Sequence, residues 1–341
     1  MSKRARLRPI DRQVVVITGA SSGVGMATAR LAAERGATVV LVSRNEPELA
    51  RIEDQIRAAG GRATHVAADV SDRERLRAVV DHCVREHGGF DTWVNDASAS
   101  VFGELLGVPL EDHRRLFEVN FWGVVHGSKL AAEHLRTRGG GAIVNVGSML
   151  SERAMPLLGA YSASKHAVKA FTDTLRMELD REGSGISVTL IEPASIATPF
   201  AEHARNHMAS AARVAPPLYD PEVVARAIVA CMERPRPTLV VGGAALALIW
   251  AERVAPRVVD HLLRYSAPLL QRAGEAPSRA LDALDAPPPR EGDERGRDER
   301  FVMRTSAYTT FALHPVKTVA ALVALAALGA VALTRRSRSS G

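Results

Sequence analysis

Val14 to Thr18 form an unbroken apolar run that feeds straight into TGASSGVG at residues 18 to 25. Such a run, with no polar alternation, suits a strand buried on both faces, as in a parallel sheet. Gly19, Gly23 and Gly25 permit a tight turn and a close approach of backbone to ligand. A helix from about Val24 to Arg35 then turns its first N–H groups toward that ligand, an arrangement that suits a phosphate. Strand, glycine turn and helix in this order restrict the chain to an α/β layout. The spacing is not G-x-G-x-x-G, so the reading rests on the logic of the turn, with a plain Gly-rich connection as its rival.

The alternation continues to residue 241. Strands are expected at Thr38 to Ser43, Ala63 to Ala67, Thr92 to Asn95, Ala142 to Val146, Ser187 to Glu192 and Thr238 to Val241. Helices fall between them, at about Pro47 to Ala59, Arg73 to His87, from Pro109 onward, through Tyr161 to Arg181, and at Pro221 to Glu233. This pattern predicts a doubly wound parallel sheet with helices on both faces. Residues 200 to 219 lack periodicity and read as a mobile loop on the substrate side. A length of 341 residues accommodates one large domain of this kind plus a tail.

Composition narrows the partners. The net charge of +6 is concentrated at the ends, in Lys3, Arg4, Arg6, Arg8 and Arg12 and in Arg335, Arg336 and Arg338. No recognition motif or aromatic interleaving accompanies these residues, so nucleic acid is not expected as a partner. A solvated arm, or contact with anionic lipid headgroups, accounts for them. Cys83 and Cys231 lie far apart, which argues against a disulfide framework, against zinc and for a reducing compartment. No apolar run follows the N-terminal charges, so a secretory signal is not expected.

Polar residues gather where the strands end. Ser43 and Arg44 close the second strand; an acid there would bond the ribose hydroxyl of NAD, whereas an arginine accommodates the 2′-phosphate of NADP. Asp69 ends the third strand and could meet an adenine or cap the next helix. Asn120 sits in an apolar helical face, where an amide needs bonded partners. Ser148 lies just past a strand. Tyr161 and Lys165 follow at i, i+4 on one helix face, where an ammonium could depress the phenol's pKa from about 10 and make it a general acid/base.

Taken together, residues 11 to 242 resemble the short-chain dehydrogenase/reductase superfamily, in its NADP-preferring branch, with a Rossmann-like sheet. TGASSGVG looks like its cofactor turn, and Ser148 with YSASK at 161 to 165 looks like its active-site signature. Asn120 matches the fourth member of the catalytic tetrad, Asp69 the adenine-site acid, and Pro193 with Thr198 the segment beside the nicotinamide carboxamide. The resemblance implies hydride transfer between NADP(H), rather than NAD(H), and a carbonyl or alcohol. Tyr161 would protonate the substrate oxygen, Lys165 would lower the Tyr161 pKa and hold the ribose, Ser148 would bond the oxygen, and Asn120 would anchor a water. Cofactor contacts are expected from Thr18, Gly19, Ser21, Ser22, Gly23, Val24, Gly25, Arg44, Asp69, Val70, Asn95, Ala97, Tyr161, Lys165, Pro193 and Thr198. No metal is expected. Two departures stand out: Asp96 and Ser98 replace the second Asn and the Gly of Asn-Asn-Ala-Gly, and Ala194 replaces a Gly.

The remainder is read as a basic arm at 1 to 10, a catalytic domain at 11 to 242, a helical extension at 243 to 284 and a disordered charged linker at 285 to 300. A segment at 301 to 341 ends in a basic tail. The extension could cap the substrate cleft, contact a second copy in a homo-oligomer, or lie on a bilayer. Val319 to Leu333 is uncharged but short of a full span, so residues 318 to 334 are expected to attach a cytoplasmic catalytic domain to a membrane. The substrate is then a small carbonyl or alcohol compound, hydrophobic or lipid-like. The alternative is a membrane-attached NADP-binding regulator with weak catalysis, motivated by Asp96 and Ser98.

Overall fold

The structure, a computed structural model, describes residues 5–278, 280–288, 292–298 and 300–314. From the N-terminus, β1 (Val14–Thr18) passes through the glycine turn into α1 (Gly23–Glu34). There follow β2 (Thr38–Ser43), α2 (Glu46–Ala58), β3 (Arg62–Ala67), α3 (Arg73–His87) and β4 (Thr92–Asn95). A short β5 (Val101–Phe102) precedes α4 (Leu110–Phe117), which continues through one π turn (Glu118–Trp122) into α5 (Gly123–Thr137). The domain goes on with β6 (Gly141–Val146), α6 (Gly159–Glu182), β7 (Ile186–Pro193), the short β8 (Arg205–Asn206) and β9 (Leu218–Tyr219), α7 (Pro221–Glu233) and β10 (Thr238–Val241). The extension adds α8 (Gly243–Val254), α9 (Pro256–Leu270), the short β11 (Val302–Met303) and α10 (Ala307–Leu313).

One parallel sheet runs in the order β10-β7-β6-β4-β1-β2-β3. Its order reverses between β1 and β4, and ligands of open α/β sheets bind at the carboxyl ends of strands flanking such a reversal. Successive residues of each strand serve opposite cores. Val15 and Ile17 pack toward α1 and α7, with Ala29, Val224 and Ile228. Val16, Val40 and Trp93 pack toward α3 and α5, with Leu76, Leu130 and Leu135. Burial on both faces is the reason these strands read as unbroken apolar runs.

Several expectations change in detail. Within 200 to 219, β8 pairs with β5 and β9 pairs with β11, so the segment is tied down at both ends. Strands of two residues carry no alternation, and periodicity could not have shown them. The extension's inner face packs on the catalytic domain: Leu263 and Ala267 join Met155, Leu157 and Leu158 in one cluster. Arg153 fastens both helices, reaching Glu252 at 2.9 Å and also Asp260. Composition reads 285 to 300 as a disordered linker, yet its described residues bond to the catalytic domain. Glu294 pairs with Arg30 at 2.6 Å, and the Arg297 N–H donates to Glu202 at 2.5 Å. Low hydrophobicity denies this stretch a core of its own, but composition says nothing about charge pairs with another surface. Among the described residues no helix is long and apolar enough to cross a membrane, and the segment 318 to 334 lies outside them.

Candidate active site

The glycine turn forms the floor of a cleft at the switch point. Gly19 has φ +73°, and a Cβ there would stand 2.8 Å from the Ala97 backbone. A Cβ on Gly25 would stand 2.3 Å from the Gly19 carbonyl oxygen. Neither position admits a side chain, because β1 and β4 converge there. A cavity of about 260 Å³ runs over the turn, lined by Gly19, Ser21, Ser22, Gly23 and Val24. It continues past Arg44, Asp69, Val70 and Ala97 at one end and past Ser148, Tyr161, Lys165, Pro193 and Thr198 at the other.

Three residues expected to touch a cofactor lie behind this lining instead: Thr18, Gly25 and Asn95. The Thr18 hydroxyl accepts from the N–H groups of Asp96 and Ala97 at 3.1 and 3.2 Å. The Asn95 amide accepts from Trp93 Nε1 at 2.8 Å and donates to Asn145 at 2.8 Å and Ser128 at 3.1 Å. These side chains are consumed in holding β4 and β6, so they support the wall without forming it.

At the Arg44 end, Asp69 accepts from the Ser71 N–H and hydroxyl at 2.9 and 2.7 Å and from Arg115 at 2.6 Å. Burial pushes its carboxyl up, but the Ser71 and Arg115 bonds outweigh that and leave it below the usual range. It does not cap the next helix. Asp72 does, accepting from the Glu74 and Arg75 N–H groups. Arg44 stands 4.0 Å from Asp69, so two guanidinium groups flank this carboxylate.

At the other end, Ser148 leaves β6 and caps a short turn by accepting the Leu150 N–H at 3.1 Å. The Ser148 and Ser98 hydroxyls flank the Tyr161 phenol and act to lower its pKa, and Phe200 packs edge-on against its ring at 5.1 Å. Lys165 is 2% exposed and donates to the Val146 carbonyl at 2.9 Å. Its Nζ lies 5.6 Å from the Tyr161 ring centroid. Contrary to expectation, the Tyr161 pKa is raised. Burial pushes it up, the Ser148 and Ser98 hydroxyls only partly offset this, and the Asp96 carboxylate adds to the rise. Burial also lowers Lys165 to about 8, with Asp96 working in the opposite sense.

Asn120 is 0% exposed and lies in the π turn, outside the cleft lining. It donates to the Ala99 carbonyl and to Ser164, each at 3.0 Å, and accepts from the Ala99 N–H at 2.7 Å and from the Ser98 hydroxyl at 3.3 Å. An amide offers two donors and one carbonyl oxygen, so this side chain is engaged by protein. It holds residues 98 and 99 against α6. Ser98 lines the cleft, with its hydroxyl donating to the Asn120 amide oxygen beside Tyr161. Sequence reasoning also passed over Arg115 and Phe200, which come from a surface-patterned helix and an aperiodic loop.

Residues 13–209 match the family model described as short chain dehydrogenase. The chain belongs to the short-chain dehydrogenase/reductase superfamily. An uncharacterized oxidoreductase of Bacillus subtilis, YxnA, is 37% identical over 330 residues, covering 96% of this chain and 92% of the relative. A probable oxidoreductase of Mycobacterium tuberculosis, EphD, is 35% identical over 265 residues, 74% of this chain and 44% of that protein. Among solved structures, a Burkholderia phymatum short-chain dehydrogenase in complex with NAD superposes with TM-score 0.68 at 29% identity, covering 74% of this chain and 96% of that one. L-Sorbose reductase from Gluconobacter frateurii, complexed with NADPH and L-sorbose, gives TM-score 0.60 at 26% identity, with 71% and 98% covered.

As a member of this superfamily, the protein is a nicotinamide-dependent oxidoreductase of CH–OH and carbonyl groups. Its own residues fit that cofactor. A glycine cradle lies at the N-terminus of α1, where the Gly23 N–H is held by the Asp293 carbonyl, and a continuous cleft leads from it to Tyr161.

Asp96 gives the site a specific pH signature. Burial raises its pKa to about 7, with Lys165 and then the Gly25 N–H pulling it back. As an anion it holds up the pKa of both Lys165 and Tyr161. In Asp96→Asn both should therefore fall, moving the basic limb of the kcat/KM profile to lower pH by about one unit. A limb that stays in place would show that Asp96 does not act on the pair.

Proposed function

We propose that the protein is an NADP(H)-dependent carbonyl reductase or alcohol dehydrogenase for a hydrophobic, lipid-like substrate, with its catalytic domain on the cytoplasmic side of a membrane. The observation that carries the reading is Tyr161, which lines the cleft together with Ser148, Ser98 and Lys165 where the cleft meets an apolar wall. When bound, the nicotinamide supplies or accepts the hydride. The raised pKa keeps Tyr161 protonated at neutral pH, so in the reducing direction its O–H is a donor for the substrate oxygen. Ser148 orients that oxygen with a second hydrogen bond, and the Lys165 ammonium stabilises the phenolate left behind. Asn120 acts on the reaction through Ser98, by holding it beside the phenol.

Arg44 supports NADP(H). No acid ends β2, and a second guanidinium, Arg115, lies across Asp69 from it. The substrate end of the cleft supports an apolar ligand: Phe102, Leu150, Met155, Leu158, Ile196 and Phe200 line it. The outer face of the extension supports a lipid surface. Val258, Leu262, Tyr265 and Leu269 of α9 form one exposed stripe at i, i+4, i+7 and i+11, with Arg257 and Arg264 on its flank and exposed Trp250 and Val254 on α8.

Three measurements test the reading. Tyr161→Phe should cut turnover about 100-fold or more while NADPH still binds, and an active variant would exclude the mechanism. Arg44→Ala should raise the NADPH dissociation constant about tenfold and leave NADH within about twofold; equal losses would exclude the NADP preference. Full-length protein should float with vesicles containing anionic lipid, and Leu262→Asp/Leu269→Asp should reduce that flotation. Undiminished flotation, or a dimer broken by the same change without loss of flotation, would assign the stripe elsewhere.

A further inference from the structure

The nucleotide cleft has a wall made by residues well beyond the matched family region. Ala283 and Pro287 line the same cavity as Gly19, Ser22, Arg44 and Asp69. The turn that carries them is pinned from several directions. Leu284 is 1% exposed, buried among Val101, Phe102 and Leu116. Asp282 and Asp285 both pair with Arg205, at 2.8 and 2.7 Å, and Arg205 also holds Asp112 at 2.7 Å. The Ala283 N–H donates to the His203 carbonyl at 2.9 Å. From the cofactor side, Arg44 donates to the carbonyls of Ala283 and Leu284, and Arg115 donates to the Leu284 carbonyl at 3.1 Å. The two guanidinium groups flanking Asp69 are therefore positioned by the tail's backbone.

Beyond residues 289–291, the described chain runs along the glycine turn. The Gly23 N–H donates to the Asp293 carbonyl at 3.0 Å, and Arg51 donates to the Gly292 carbonyl at 3.1 Å. Glu294 pairs with Arg30 at 2.6 Å. The segment then reaches the opposite bank of the cleft, where Arg295 pairs with Asp220 and the Gly296 N–H donates to the Ala197 carbonyl at 3.3 Å. Ala197 immediately precedes Thr198, which lines the cavity. One stretch of chain thus bonds to both banks, from the end of β2, past the start of α1, to the segment after β7.

We propose that Asp282–Pro288 and Gly292–Arg297 form a strap closing the adenosine and pyrophosphate half of the nucleotide site, so that the nucleotide binds beneath it and leaves only when it lifts. The inference rests on the functional reading above, since it presupposes a dinucleotide in this cleft. The cavity remains open between Ala283 and Pro287 and the glycine turn, whereas at Gly23 the Asp293 carbonyl bonds the turn directly and must give way to a pyrophosphate that uses that N–H. Its carbonyls orient Arg44 toward the cleft, which makes the tail part of what selects the nucleotide. Release should be slow, because lifting the strap separates charge pairs from both banks at once.

Binding of NADPH, NADH and reduced nicotinamide mononucleotide to the full-length chain tests this, since the mononucleotide lacks the adenosine half. Leu284→Asp should raise the dissociation constant and release rate of NADPH about tenfold or more, and leave the mononucleotide within about twofold. Asp282→Asn/Asp285→Asn, which loosens the Arg205 anchor without touching the buried leucine, should act in the same direction and covers the case in which Leu284→Asp does not fold. Hydrogen exchange in 282–288 and 292–297 should slow when NADPH is added. NADPH binding that is unchanged or tighter in both variants, or exchange that quickens with NADPH, overturns the proposal. A native chain that binds neither dinucleotide overturns the functional reading, and this inference with it.

Discussion

A buried pair of amides under the switch point holds the site together. Asn95 of β4 donates to Asn145 of β6 at 2.8 Å, Ser128 of α5 joins them, and Asn145 donates on to Thr172 of α6 at 2.9 Å. All four are 3% exposed or less. An unpaired polar group at such depth costs about 1–3 kcal/mol, so each partner enforces the placement of the next. The network locks β4, β6, α5 and α6 into one register. Asp96 and Ser98 then leave β4, Ser148 leaves β6 and Tyr161 rises on α6, all at the same end.

Desolvation governs the chemistry built on that frame. The i, i+4 spacing of Tyr161 and Lys165 suggests a cation that lowers a phenol's pKa. In the structure the ammonium donates to a carbonyl, two serine hydroxyls flank the phenol, and burial acts on both groups. Burial opposes ionisation of an acid and protonation of a base, so Tyr161 rises and Lys165 falls. Asp96 counteracts the second effect and reinforces the first. The residue that departs from the family pattern is thus the one charge that tunes both partners, and Ser98 beside it belongs to the same hydroxyl cluster.

Charged segments were the least legible part of the chain. Composition describes 285 to 300 correctly as unable to build a core, but its acids and arginines have complementary partners on the catalytic domain, at Arg30, Glu202 and Asp220. Leu284 lies in the short stretch Ala280 to Ala286, too brief to register as periodicity, yet it is buried. Arg115 likewise belongs to a helix patterned for solvent and becomes part of the cleft's surroundings because Asp69 and the tail converge on it.

The sequence by itself determined the doubly wound sheet, because burial of parallel strands on both faces demands apolar runs, and it determined the glycine turn, because no other residue fits where β1 and β4 meet. It also brought Ser148, Tyr161 and Lys165 to one place, through strand ends and helix spacing. Tertiary structure alone decided which expected residues face the cleft: Thr18, Asn95 and Asn120 carry the right chemistry but spend it on protein partners. It alone set the direction of the Tyr161 shift and brought a distant tail over the nucleotide half. Those outcomes depend on desolvation and on contacts between residues far apart in the chain, and neither leaves a local period or spacing to read.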